Sequence, residues 1–184
     1  MVARPGHRVI RRIVAIDRIN PAGLGRPSGF SHVVSVTAGR LAFLAGQTAL
    51  DANGQIVGAG VVEQFERALA NLLTALRAAG GQPAGLVSLT VYLVDLDDYR
   101  GHAREVGEVW RRLVGRDYPA MAAVGVHRLW DPEALVEVLG LAALPDGTGC
   151  RRQPHPGAAG CPAVRRRSPA GRGCGRPARA APAA

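Results

Sequence analysis

Lysine is absent from the 184 residues: all 23 basic side chains are arginines, set against 14 acids. Cysteine is absent before position 150, so the greater part of the chain has no thiol nucleophile. The three cysteines, Cys150, Cys161 and Cys174, match no CxxC or zinc-ligand spacing. Their odd number argues against a secreted disulfide framework, as does the absence of an apolar leader: Arg4, Arg8, Arg11 and Arg12 interrupt the first fifteen residues. No apolar run approaches the roughly 20 residues that a membrane helix requires. A soluble cytoplasmic protein with no membrane partner is therefore expected.

The net charge of +9 invites a nucleic-acid reading until it is divided along the chain. Met1–Arg18 carries five arginines against Asp17, and Asp146–Ala184 carries eight against Asp146 alone. Between them, Ile19–Pro145 has ten arginines against twelve acids. The body is mildly acidic and the basicity sits at the ends, so nucleic acid is not the expected partner. From Asp146 onward the hydrophobic period vanishes into Pro, Gly, Ala and Arg, a composition that cannot bury enough apolar surface to offset its ordering entropy. Residues 146–184 are read as a disordered tail. It is either a phosphate-binding extension or a neutral one from a shifted frame in GC-rich DNA. The neutral reading is preferred, because the tail has no aromatic side chain on which bases could stack.

Three segments follow: a basic N-terminal stretch, 1–18, one domain over 19–145, and the tail. Val9–Val14 reads as an edge strand, and Asn20–Gly29 as a turn-rich connection. His32–Val36 and Leu41–Thr48 are β-type runs joined by four residues, which predicts a hairpin. Val62, Phe65, Leu69, Leu72, Leu73 and Leu76 keep helical spacing up to Gly80-Gly81, a left-handed cap. Leu86–Val94 alternates as a strand with one apolar face. Tyr99, Ala103, Val106, Val109, Trp110 and Leu113 predict a second helix, and Ala120–Val126 and Leu135–Ala142 two further strands. Asp95, Asp97 and Asp98, just before that helix, are read as caps rather than a cation site. The expected architecture is α+β, a mixed sheet of about six strands with two helices on one face. The other face, carrying Phe43, Ala45, Gln47, Leu135, Glu137, Leu139 and Leu141, is too apolar for water and predicts a homo-oligomer with clefts between subunits.

The segments SGFSHVV, LAFLAGQTALDANGQIVG, EQFERALANLLTALRAAG, VSLTVYLVDLDDY, YPAMAAVGV and ALVEVLGLAAL follow one another in the order and spacing of a known pattern. Over about Asn20–Leu144 the chain resembles the reactive-intermediate deaminase (Rid) family, also called RidA or YjgF. The resemblance implies a chorismate-mutase-like fold and a compact homotrimer with helices outside and small-molecule clefts between subunits. It implies hydrolysis of imines and enamines with no metal or organic cofactor, an arginine clamping the substrate carboxylate and a glutamate positioning water.

Carried across the motif, that arginine falls at Met121, which offers neither charge nor donor. The family's tyrosine is Phe30, its serine before Gly-Gln is Ala45, its asparagine near the second helix is Gly107, and its later cysteine is Ala123. Gly46, Gln47 and Glu137 are retained. Glu137, in an apolar row, is the candidate catalytic residue: desolvation would suit it to proton transfer, or else it is a structural carboxylate at the subunit interface. Phe30, Ser31, Ala45, Gly46, Gln47, Met121 and Ala123 are the candidate ligand-binding residues. Gln47 has a simpler reading, in which its amide satisfies nearby backbone. His32 either contacts ligand or is a satisfied polar residue, and no histidine spacing predicts a metal.

Three functions remain in view. The first is a protein that binds a small metabolite, diverged from the arginine-dependent deaminases. The second is an active imine or enamine hydrolase (deaminase), with Arg128 or a neighbour's arginine substituting. The third is an RNA-acting translation inhibitor or endoribonuclease.

Overall fold

The computed structural model of the chain describes residues 14–37 and 39–146, all within one unit that ends by Gly149. The tail from Gly147 onward and the strand expected from Val9, apart from Val14 itself, lie outside the described residues.

Six strands and three α-helices are present among the described residues: β1 (Ile16–Ile19), β2 (Val33–Val36), β3 (Arg40–Gln47), α1 (Val61–Ala78), β4 (Leu86–Leu93), α2 (Leu96–Gly101), α3 (Ala103–Leu113), β5 (Ala120–Gly125) and β6 (Val136–Leu144). They make a mixed α+β fold. Four strands form the main sheet in the order β3-β6-β4-β5, antiparallel except for the parallel pair β4–β5. β1 and β2 form a separate antiparallel ribbon, which meets the β5 edge at one bridge, Ser31 to Ala120. The Ser31 amide donates to the Pro119 carbonyl at 2.9 Å and its hydroxyl to the Tyr118 carbonyl at 2.7 Å. Ribbon and sheet are thereby tied where β5 begins.

The hairpin expected between the second and third runs does not form. β2 pairs instead with β1, Ile16 opposite Val36, and β3 pairs with β6, Arg40 opposite Leu144. Gly39 permits this pairing: its φ of +119° suits glycine, and its Cα passes so close to the Leu144 carbonyl that a side chain there would collide with it. β3 is thus laid along β6, where Leu44 is buried beneath α1. The second helix also differs from expectation, being interrupted at His102, whose backbone leaves the helical region. The Asp98 carbonyl accepts both the His102 amide at 3.1 Å, a bond of helical spacing, and its ring Nδ1 at 2.9 Å, so the side chain competes for a backbone acceptor where the two helices meet.

α1 forms because one stripe is apolar and both ends are closed. Phe65, Leu69, Leu72, Leu73 and Leu76 are fully buried, and at about 1.5–3 kcal/mol per buried side chain this stripe outweighs intrinsic propensity. The Glu63 carboxylate accepts from the Ala59 amide at 2.6 Å ahead of the first turn. At the other end the Gly80 amide donates to Arg77 and the Gly81 amide to Leu76, both at 2.9 Å, the paired bonds of a Schellman cap. Asp95 caps α2, accepting from the Asp97 and Asp98 amides at 3.0 and 2.9 Å, as the capping reading expected.

The strands alternate as a half-covered sheet requires. Leu89, Val91 and Leu93 of β4 and Val136 and Val138 of β6 are buried under the helices. The opposite face keeps Phe43 83% exposed, with Leu41, Leu139 and Val124 also exposed. No helix among the described residues is long and apolar enough to cross a membrane.

Candidate functional site

Register decides which candidate residues share a surface. Met121 and Ala123 stand opposite Leu89 and Val91 in the β4–β5 pairing, so their side chains leave the sheet on its helix-covered face. There they line a cavity of about 340 Å³ between β5, α3 and the loop at Ser28–Phe30. Phe30, Met121 and Ala123 are thereby brought together, with Gly107 on the facing helix. Ser31 belongs to an adjoining, more open depression of about 400 Å³ that shares Phe30 and Met121.

The cavity wall is aromatic and apolar. Trp110 stacks on Tyr118 with ring centroids 5.4 Å apart and planes 13° from parallel. Phe65 meets Tyr99 edge-on at 5.9 Å. Burial pushes the Tyr99 hydroxyl up to about 12, so it stays neutral and able to donate. The buried Nε1–H of Trp110 has no acceptor among the described residues. Among the described residues one charged side chain, Arg111, lines the cavity, and no carboxylate does.

His32 reaches this region but is otherwise engaged. Its Nε2 lies 2.8 Å from the Gly25 carbonyl, its amide donates to Asn20 Oδ1 at 2.9 Å, and its ring meets Phe30 edge-on at 5.1 Å. It fixes the loop that presents Phe30.

Ala45, Gly46, Gln47 and Glu137 form a second cluster, at a bulge where the β3–β6 register slips between Leu44 and Gln47. Gly46 lies against the Glu137 carboxylate so closely that any side chain there would overlap it. The Gln47 amide donates to the Gly46 carbonyl at 3.1 Å and to that of Ala45 at 3.4 Å, serving its own strand. Glu137 is half-buried, stands opposite Tyr92, and has no hydrogen-bond or ion-pair partner among the described residues. Tyr92 neighbours Val91 and so points to the other face. Met121 and Glu137 therefore leave the sheet on opposite faces and do not meet within one protomer.

Sequence reading missed three side chains of this region. Tyr99 and Trp110 read only as members of a helical stripe, and Arg111 carries no signal of its own, since no spacing marks a charged helix residue as belonging to a cavity. Gln64 was also missed: though only 3% exposed, it pins the approach to β6, donating to the carbonyls of Gly58 and Glu133 and accepting from the Leu135 amide at 2.8 Å. No group of His, Cys, Asp or Glu able to hold a metal occurs among the described residues.

The sequence pattern described as Endoribonuclease L-PSP matches residues 24–144. The chain is 34% identical over 122 residues to the 2-iminobutanoate/2-iminopropanoate deaminase of Capra hircus, covering 66% of this chain and 82% of that protein. It is 36% identical over 123 residues to protein DfrA of Myxococcus xanthus, covering 66% and 88%. Among solved structures, the Rid family protein YyfB of Yersinia pestis superposes with a TM-score of 0.64 at 36% identity, over 70% of this chain and 98% of that one. RidA from an Antarctic Psychrobacter gives 0.51 at 28%, over 68% and 94%.

Proposed function

The chain belongs to the Endoribonuclease L-PSP family, the Rid or YjgF proteins, and from that premise we propose that it is a cytoplasmic homotrimer binding a small metabolite in clefts between subunits. The observation that carries the reading is the cavity of about 340 Å³ on the inner side of β5, with Met121, Phe30 and Ala123 in its walls. Its size and lining suit a small, largely apolar molecule oriented by few polar groups. Assembly is supported by the opposite face, whose exposed Phe43, Leu41 and Leu139 form an apolar surface of the kind that subunits cover. In such an assembly a neighbour's Glu137 closes the cleft that Met121 and Phe30 begin. This is the arrangement that lets the two clusters cooperate.

A second reading, hydrolysis of imines or enamines, is favoured by the deaminase relatives. Met121 supplies no charge for it, so its substrate range differs from that of arginine-dependent enzymes. The RNA-acting reading has less support: Ile19–Pro145 has more acids than arginines, and one cation lines the cavity.

A thermal-shift screen of small metabolites on the full chain tests the first reading. A ligand is expected to raise the melting temperature, and to do so less in Glu137→Ala. A shift of equal size in the variant contradicts the role given to Glu137. An assay that generates 2-imino acids in place tests the second, and a rate no faster than spontaneous hydrolysis removes it.

A further inference from the structure

Three arginines follow one another closely on α3, and they are not alike. Arg104 Nε lies 3.2 Å from Glu108 Oε1, an i, i+4 pair along the helix. Arg112 grips Glu66 of α1 with two bonds, at 2.8 and 2.7 Å. Arg111 has no carboxylate partner among the described residues, and it is the one that lines the cavity.

Its direction follows from helix geometry. Long helical side chains lean toward the N-terminus and cover the preceding turn, so Arg111 falls over position 107. That position is a glycine, and a Cβ built there would stand 3.6 Å from Arg111 Nη1. A larger side chain at 107 would fill the lane through which the guanidinium reaches the cavity rim.

We propose that Arg111 is the anion-binding group of this cavity, which takes a small carboxylate with its charged end at the α3 rim and its apolar part against Met121. The inference rests on the reading of the cavity as a ligand site. Three features favour an anion in that orientation. Among the described residues a single cation faces the space and no acid opposes it. Apolar walls focus its field more than open solvent does. Val91, Phe65 and Met121 make the deeper wall uncharged, so the hydrocarbon portion is desolvated where it gains most. The neutral Tyr99 hydroxyl beside them adds a donor and no repulsion.

Met121 is one of only two methionines, so methyl-labelled methionine gives a reporter inside the cavity on the full chain. Benzoate and benzamide are suitable probes, nearly equal in shape and differing in charge. Benzoate is expected to move the Met121 signal and to bind about tenfold more tightly than benzamide, the range for a hydrogen bond to a charged group. The preference should vanish in Arg111→Gln, persist in weakened form in Arg111→Lys, and fall in Gly107→Leu. If both probes move Met121 with equal affinity and Arg111→Gln changes nothing, the role of Arg111 is overturned while the cavity stands as a ligand site. If saturating amounts of neither probe move Met121 in the unsubstituted chain, the cavity reading fails and the inference falls with it.

Discussion

Trp110 places an indole N–H in the interior with no acceptor among the described residues, although its ring is well used against Tyr118. An unsatisfied buried donor costs about 1–3 kcal/mol, so the residue contributes through area and stacking and loses part of that through its nitrogen. Trp110→Phe removes the donor and keeps most of the ring. Its stability is expected to stay within about 1 kcal/mol of the parent, whereas Trp110→Ala should lose about 3–5 kcal/mol. Urea unfolding of the two variants measures this. A Phe variant as damaged as the Ala variant would mean that the N–H has a partner. Arg111 shows the opposite economy: an exposed arginine whose use depends on the glycine four residues before it. At this scale the sequence was legible where chemistry is local, as in the Asp95 cap. It was silent where a residue acts through what the chain folds against it, as with Gln64 and Arg111.

The contact between α1 and α3 is sealed at its rim by Glu66 and Arg112. The Arg112 guanidinium, first by hydrogen bonding and then by its charge, holds the Glu66 carboxyl below its ordinary range. A carboxylate lowered in the folded state supplies stability that is present above its unfolded value and lost as pH falls through the folded one. Glu66→Gln should therefore be slightly less stable than the parent at neutral pH, and the gap should close on acidification. Melting temperatures across that range check it, and a gap that is constant or widens toward acid contradicts the assignment. Both side chains are partly exposed, so the effect is small and weakens with salt.

The elements were legible in proportion to how far local pattern decided them. The stripe Phe65–Leu76 and the alternation of β4 announced themselves, since burial of one face imposes its period directly. The β2–β3 hairpin is a wrong expectation because a short connection between two β-type runs favours pairing, while β3 finds its partner about a hundred residues later, a close approach that Gly39 allows. The interruption of the second helix leaves no mark in the pattern, because apolar spacing persists across His102, where the backbone departs from helical dihedrals.

For the whole molecule, the decisive feature is a sheet that the described residues cover on one side only. Helices bury Leu89, Val91 and Val138, while the other face presents Phe43, Leu41 and Leu139 to whatever lies beyond it. The sequence announced this imbalance, because Leu135, Glu137, Leu139 and Leu141 alternate along one run, and Phe43 stands in another, with too little polarity for water. It could not assign the cavity and the Glu137 cluster to opposite faces, since that follows from the pairing of Leu89 with Met121 and of Tyr92 with Glu137. Two half-sites on two faces are joined most simply by copies of the same chain.

The solution mass of the intact protein, measured by light scattering alongside Phe43→Asp, tests this most directly. A charge on the exposed apolar face should be tolerated by the isolated fold and should disrupt its assembly. Three times the 19.2 kDa chain mass is expected for the parent and a smaller species for the variant. A parent protein that runs at the mass of one chain would contradict it.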